Sequence, residues 1–290
     1  MTNTKYIIIN GDDFGFSTGV NHAIIKAHNQ GILTSTSLMV SGSAFAHAVD
    51  LAQQNPDLAI GLHLVLCCGK SVLPPHIIPD LVDSNGNFSN SPFLAGLKYQ
   101  FHPQVKQQLK LEIRAQLERF KQTGLNLSHV DGHLHLHIHP LILQYLIELA
   151  PEFNIKFIRL PLEELSLNLK INPTNLLMKF IYNQVFGKLR KFGEKLLISA
   201  NIKFTDKVYG LLETSNMTES YLIQLIPQIS ANIVEIYSHP AIIIPGEPLN
   251  GEPGAGELEL NAYLSDKVKE LLLKYNFELT NYHKLQDTEN

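Results

Sequence analysis

The chain has 290 residues, 44% of them hydrophobic and 17% charged, which suits one (β/α) barrel with a sizeable core. Its formal net charge of −4 is too mild to suggest nucleic acid as a partner, and no apolar run approaches the roughly 18 residues that span a bilayer. The start of the chain lacks a signal-peptide pattern, and its only cysteines, Cys67 and Cys68, are neighbours, so a cytosolic protein without disulfides is predicted.

Tyr6–Ile9 is a short apolar run rich in β-branched residues, the signature of a buried parallel strand. It runs into the turn Asn10-Gly-Asp-Asp-Phe-Gly15. A helical pattern follows over 18–29, closed by Gly31, then an apolar run at 37–41, a helix near 44–55 and a third strand at 59–64. Strand and helix in alternation imply a parallel sheet with helices outside. Residues 70–102 are rich in Pro, Asn, Gly and Ser and read as a long loop, either a binding loop or a plain surface excursion. An amphipathic helix is predicted over 103–124, and further strands at 127–130, 156–160 and 233–237. No repeat or linker divides the chain. The expected architecture is therefore α/β, one barrel domain over 1–290 with the strand C-termini gathered at one mouth.

The strongest chemical signal is Ser128-His-Val-Asp-Gly-His-Leu-His-Leu-His-Ile-His139. On an extended backbone His129, Asp131, His133, His135, His137 and His139 would share one face, with Leu134, Leu136 and Ile138 on the other. So many imidazoles cannot all be buried neutral with partners, whereas imidazole is the commonest metal ligand. One or two of them are expected to ligate, the rest to orient ligands, touch substrate or be solvated. Asp12 and Asp13 directly follow a buried strand, which places them at the mouth where ligands bind. Paired carboxylates can divide labour there, one on a cation and one as general base; a plain helix cap is the alternative. His63 ends the third strand, and Asp, His and His from separate strand ends suit a divalent ion with open positions. His239 follows a late strand and could donate a proton to a leaving group.

Asn10-Gly-Asp-Asp-Phe-Gly15, Gly61-Leu-His63, His129-Val-Asp-Gly-His-Leu-His-Leu-His137 and Ser238-His-Pro240 together resemble the YdjC-like family of carbohydrate deacetylases, in order over nearly the whole chain. The resemblance implies a (β/α) barrel of the deacetylase type, a divalent metal, usually magnesium, and removal of acetyl groups from N-acetylated sugars. By position it implies Asp13, His63 and His133 as metal ligands, Asp12 as base and His239 as acid. Ile158-Arg-Leu-Pro161 resembles an arginine-proline element of related deacetylases, so that Arg159 would hold Asp12 or the substrate. Asp131, His135 and His137 would orient ligands or sugar. The segments 33–39, 72–75 and 129–139 are most similar to the branch associated with hopanoid biosynthesis, which implies an N-acetylglucosaminyl hopanoid substrate. A homodimer is also implied.

Lys170–Lys207 carries eight basic and two acidic residues among large apolar ones. That mixture suits contact with an anionic membrane surface, such as the inner membrane seen from the cytosol, as well as it suits an ordinary helix with a solvated basic face. The residue types leave zinc and manganese open beside magnesium. They also leave room for a chitooligosaccharide deacetylase of the same family, a metal-dependent phosphoesterase, or a non-catalytic metal- or sugar-binding protein.

Overall fold

The computed structural model describes residues 4–286. Its frame is seven parallel strands: β1 (Lys5–Phe14), β2 (Ser35–Leu38), β3 (Ala59–Leu64), β4 (Leu127–Gly132), β5 (Lys207–Tyr209), β6 (Ile233–Ser238) and β7 (Phe277–Thr280). Their order is β4-β3-β2-β1-β6-β5, with β7 also on β1. The length of β1 explains the extra neighbour. Its first half, from Lys5 to Ile8, pairs with β7, whereas Asn10 and Gly11 pair with Ser35 and Thr36 of β2 on that edge.

Eleven helices connect and cover the described strands: α1 (Thr18–Gln30), α2 (Phe45–Gln54), α3 (Pro92–Phe101), α4 (Pro103–Lys121), α5 (Pro140–Phe153), α6 (Leu165–Ile171), α7 (Leu176–Ser199), α8 (Glu219–Leu225), α9 (Ala255–Leu264), α10 (Asp266–Lys274) and α11 (Tyr282–Gln286). Local chemistry marks several of their starts. The Ser17 hydroxyl accepts from the Val20 amide to cap α1, and prolines open α3, α4 and α5, where a missing N–H costs nothing.

The expected strand at 156–160 is not a regular strand. Isolated bridges tie Ile158 to Val130, Phe157 to Lys203 and Leu162 to Val208. This short stretch joins the β4 edge to the β5 edge and closes the ring without a full ladder. The expected loop at 70–102 is also shorter than predicted, because α3 occupies its last third. Its earlier part is pinned to α4, where the buried Glu112 carboxylate accepts from the Val72 and Leu73 amides at 2.8 and 2.9 Å.

Strand parity divides the interior. A large apolar cluster packs the helices onto the sheet and includes Ile7, Ile9, Leu62 and Val234. The opposite strand face carries Ile8, then Asn10, then Asp12 along β1. At its lower end Ile8 packs with Phe157, Tyr282 and Leu285 in a separate small cluster, so α11 plugs the bottom of the barrel. Above that plug the inward-facing residues turn polar.

Candidate active site

The polar layer is built from strand C-termini that register brings level. His63 pairs with Asp131 across β3 and β4, and Asn10 pairs with Tyr237 across β1 and β6. β1 is irregular between Gly11 and Phe14, and Asp13 takes a positive φ of 66°. This left-handed residue turns the two neighbouring carboxylates apart, so that they serve different partners.

Asp12 faces Arg159, whose Nη1 and Nη2 donate to its two oxygens, each at 2.8 Å. The Asn10 amide donates to the same carboxylate at 2.7 Å. Asp13 faces two histidines instead: His63 Nε2 lies 3.2 Å and His133 Nδ1 3.0 Å from its Oδ1. Burial alone would raise the Asp13 carboxyl, but His133 and His63 hold it well below the usual carboxylate range. His63 Nδ1 is 2.8 Å from Asp131 Oδ1. Burial disfavours the charged His63 ring, yet Asp131 and Asp13 beside it carry its pKa well above the usual value. The hydrogen bond to Asp131 also leaves Nε2 as the nitrogen facing Asp13, the arrangement that orients a ligating imidazole.

Arg159 is the hub of the layer. It is buried, touches Asp12, Asp131 (2.7 Å) and Glu235 (2.6 Å), and lies over the Tyr237 ring at 4.6 Å. Glu235 is held from below by the Tyr282 hydroxyl at 2.5 Å. Three buried carboxylates, Asp12, Asp131 and Glu235, thus face one guanidinium, while a fourth, Asp13, faces His63 and His133. Buried carboxylates in excess call for further positive charge. The donor atoms of Asp13, His63 and His133 converge within 4.8 Å of one another, as do those of Asp12, His63 and Asp131. The first group fits a divalent cation. In the second, Arg159 already neutralises both carboxylates, which favours one ion over two.

The histidine run does not stay extended. β4 ends at Gly132, and His133–Ile138 wind into 3₁₀ turns with Leu134 and His135 left-handed. The expectation of one shared face is therefore corrected, because turns rather than alternation place the imidazoles. His129 faces inward below the site, stacked 3.9 Å from Tyr282, and His133 reaches Asp13. His135 Nε2 meets the Tyr237 hydroxyl at 2.7 Å, and His137 Nε2 meets the Arg159 carbonyl at 2.9 Å. His139 caps α5, accepting from the Leu141 amide. Burial, with His137 and Arg159 nearby, holds His135 well below the usual imidazole range, and burial lowers His137 to about 4. Leu134 is exposed and Ile138 buried, against the expectation that they share a face.

Asp12, His63, His133, His135, Tyr237 and His239 line a cleft of about 1030 Å³. Its upper walls come from α3 and α7, including Phe93, Phe101, Met178, Tyr182 and Phe186. The His239 amide donates to Glu259 at 2.7 Å, while its buried Nδ1 has no hydrogen-bond partner among the described residues.

Sequence reasoning missed Glu235, Tyr237, Tyr282 and Asn250. Glu235 was the legible one, a lone acid inside the apolar strand Ile233-Val-Glu-Ile-Tyr237. Asn250 donates to Asp13 Oδ2 at 3.0 Å across 237 residues, and no local pattern marks it.

The sequence pattern of the family described as YdjC-like protein matches residues 6–274. The chain belongs to the YdjC-like family. Among similar proteins, a carbohydrate deacetylase of Brevibacillus brevis is 35% identical over 82% of each chain. Another of Vibrio cholerae is 32% identical over 96% of each. A solved structure from Enterococcus faecalis V583, of a candidate cellobiose-phosphate cleavage protein, superposes with a TM-score of 0.72 at 25% identity, covering 98% of this chain and 99% of that one. The YdjC-like motifs quoted from the sequence thus fall on the mouth of a barrel-type fold, as that resemblance implied.

Proposed function

We propose that the chain is a metal-dependent carbohydrate deacetylase that hydrolyses the N-acetyl amide of an amino sugar. The observation that carries the reading is the buried convergence of Asp13, His63 and His133 beside the Arg159-held Asp12, at the floor of an open cleft. Asp13, His63 and His133 would hold a divalent ion, magnesium by family resemblance; bound there, such an ion would polarise a carbonyl and make water more acidic. Asp12, fixed by both guanidinium N–H groups of Arg159, accepts the proton of the attacking water. His239 returns a proton to the sugar nitrogen as the C–N bond breaks, so acetate and a free amine leave. His135 and Tyr237 orient the sugar above the Arg159 plane; Asp131 orients His63, and His137 braces the Arg159 backbone.

The cleft walls support a lipid-linked substrate such as an N-acetylglucosaminyl hopanoid. Exposed large apolar residues crowd the two helices at its rim: Phe93, Leu94 and Phe101 on α3, and Leu177, Phe180 and Ile181 on α7. Lys98, Lys188, Lys191 and Lys195 lie exposed on the same helices. Apolar side chains among lysines suit peripheral contact with an anionic leaflet, from the cytosolic side in this reading. No helix among the described residues is long and apolar enough to cross a membrane. The homodimer implied by the resemblance is checked by sedimentation.

Acetate release by metal-reconstituted protein, offered N-acetylglucosaminyl hopanoid beside N,N′-diacetylchitobiose, tests the reading. Release from the lipid supports both chemistry and substrate, and release from chitobiose alone keeps the deacetylase and discards the lipid. Asp12→Asn should keep the ion and lose turnover by about 10²-fold or more. Silence on both substrates from wild-type protein with metal bound returns the chain to the phosphoesterase or binding readings.

A further inference from the structure

We infer that Asn250, carried on the loop between β6 and α9, is a positioning residue that fixes the ion-binding carboxylate of Asp13. The inference rests on the reading that Asp13, His63 and His133 hold a divalent ion. Asp13 is 1% exposed, so the orientation of its carboxylate is set by protein donors rather than by solvent. Oδ1 faces both histidines, at 3.2 Å to His63 and 3.0 Å to His133. Oδ2 points the other way and accepts from Asn250 Nδ2 at 3.0 Å.

The two oxygens are therefore sorted: one belongs to the ion-binding group and one to an amide donor. So held, the carboxylate presents Oδ1 to the ion-binding group, and turning to chelate with both oxygens would strain or break the Asn250 hydrogen bond. Neutral donors to ligating carboxylates tune metal affinity by holding the ligand in place.

The loop is built to deliver that amide. The Glu247 carboxylate accepts from the Gly19 amide at 2.9 Å and bonds the Thr18 hydroxyl, on the first turn of α1. The Ile242 amide donates to the Gly19 carbonyl. This first turn follows the Asp12–Asp13 turn directly, so the loop is stapled to the segment whose carboxylate it orients. Gly251 and Gly254, with φ of 85° and 83°, turn the chain back toward α9 immediately after Asn250. Residues with a side-chain Cβ rarely adopt that conformation. The geometry gives Asn250 a purpose in the reaction although that residue lies outside every motif that marks the site in the sequence.

Manganese titration of the full chain, followed by electron paramagnetic resonance of the free ion, tests this. Asn250→Ala should weaken manganese binding by about 10- to 100-fold while the melting temperature of the metal-free protein stays unchanged. Glu247→Ala, which leaves the amide but loosens its loop, should weaken binding less. With Asn250→Ala, turnover should recover at high manganese, so the metal activation constant moves and kcat does not. Equal manganese affinity in wild type and Asn250→Ala overturns the inference and leaves the ion site standing. A wild-type chain that binds no manganese overturns both.

Discussion

At the scale of single residues, the site depends on two neighbours being made unlike. Asp12 and Asp13 are adjacent acids, and the positive φ of Asp13 sends one to a guanidinium and the other to two imidazoles. Arg159 then ties three buried carboxylates together, Asp12, Asp131 and Glu235. Burial opposes its charge, but Asp12, Asp131 and Glu235 hold the guanidinium firmly protonated. Arg159→Leu would strand those carboxylates in the barrel, at a cost of about 3–5 kcal/mol. The expected outcome is a sharply lower urea midpoint or insoluble protein. Arg159→Lys keeps the charge but loses the two-pronged grip on Asp12, so it should fold better than the leucine variant yet remain poorly active. Gly61 is constrained by packing alone: a Cβ there would sit 2.3 Å from the His129 ring. Gly61→Ala should lower stability by about 1–3 kcal/mol, read as a lower midpoint in chemical denaturation, because His129 is wedged between β3 and Tyr282.

At the scale of elements, the histidine run shows where pattern reading reaches its limit. Alternation of His with Leu is the sequence signature of a strand, yet a strand continued past Gly132 would carry the imidazoles away from Asp13. The 3₁₀ turns fold them back over the barrel mouth, and the left-handed Leu134 and His135 make that reversal. The rim helices were unevenly legible. The basic and apolar character of 170–207 was plain in composition, but α3 was hidden in a stretch whose Pro, Asn and Gly content spoke for a loop. Only together do α3 and α7 form two apolar walls. If they meet a membrane, Phe93→Asp with Leu177→Asp should abolish cosedimentation with vesicles containing anionic lipid while sparing hydrolysis of a short soluble substrate. Undiminished sedimentation would count against membrane contact through these helices.

At the scale of the whole molecule, buried ionisable groups give stability a pH dependence of two opposing parts. His137 is held near 4 by burial, below its unfolded value, so its contribution is complete above about 6.5 and lost as pH falls through about 4. Glu163 runs the other way. Burial raises it to about 7, so its contribution is full below about 4.5 and lost as pH rises through about 7. Glu163→Gln keeps an acceptor for the Leu212 amide, bonded at 2.7 Å. It should flatten the decline in melting temperature between pH 5 and 8 while leaving the acid-side loss intact. An unchanged decline in the variant would show that the alkaline limb comes from other groups.

The parallel α/β frame is legible in residue pattern alone, because buried strands in such a frame are continuous apolar runs such as Tyr6–Ile9 and helices carry a longer period. The same pattern also marked Asp12, Asp13, His63 and the 129–139 histidine run, since the C-terminal ends of parallel strands gather at one mouth; the choice of His133 within that run came from the family resemblance. Tertiary structure alone decided the pairing: which aspartate meets Arg159 and which meets the histidines, that Tyr282 closes the barrel floor beneath Glu235, and that Asn250 reaches Asp13. Those contacts join residues tens to hundreds of positions apart. Local pattern records which face a residue presents, but the partner on that face is chosen by register, ring closure and loop path, and no short stretch of sequence encodes these.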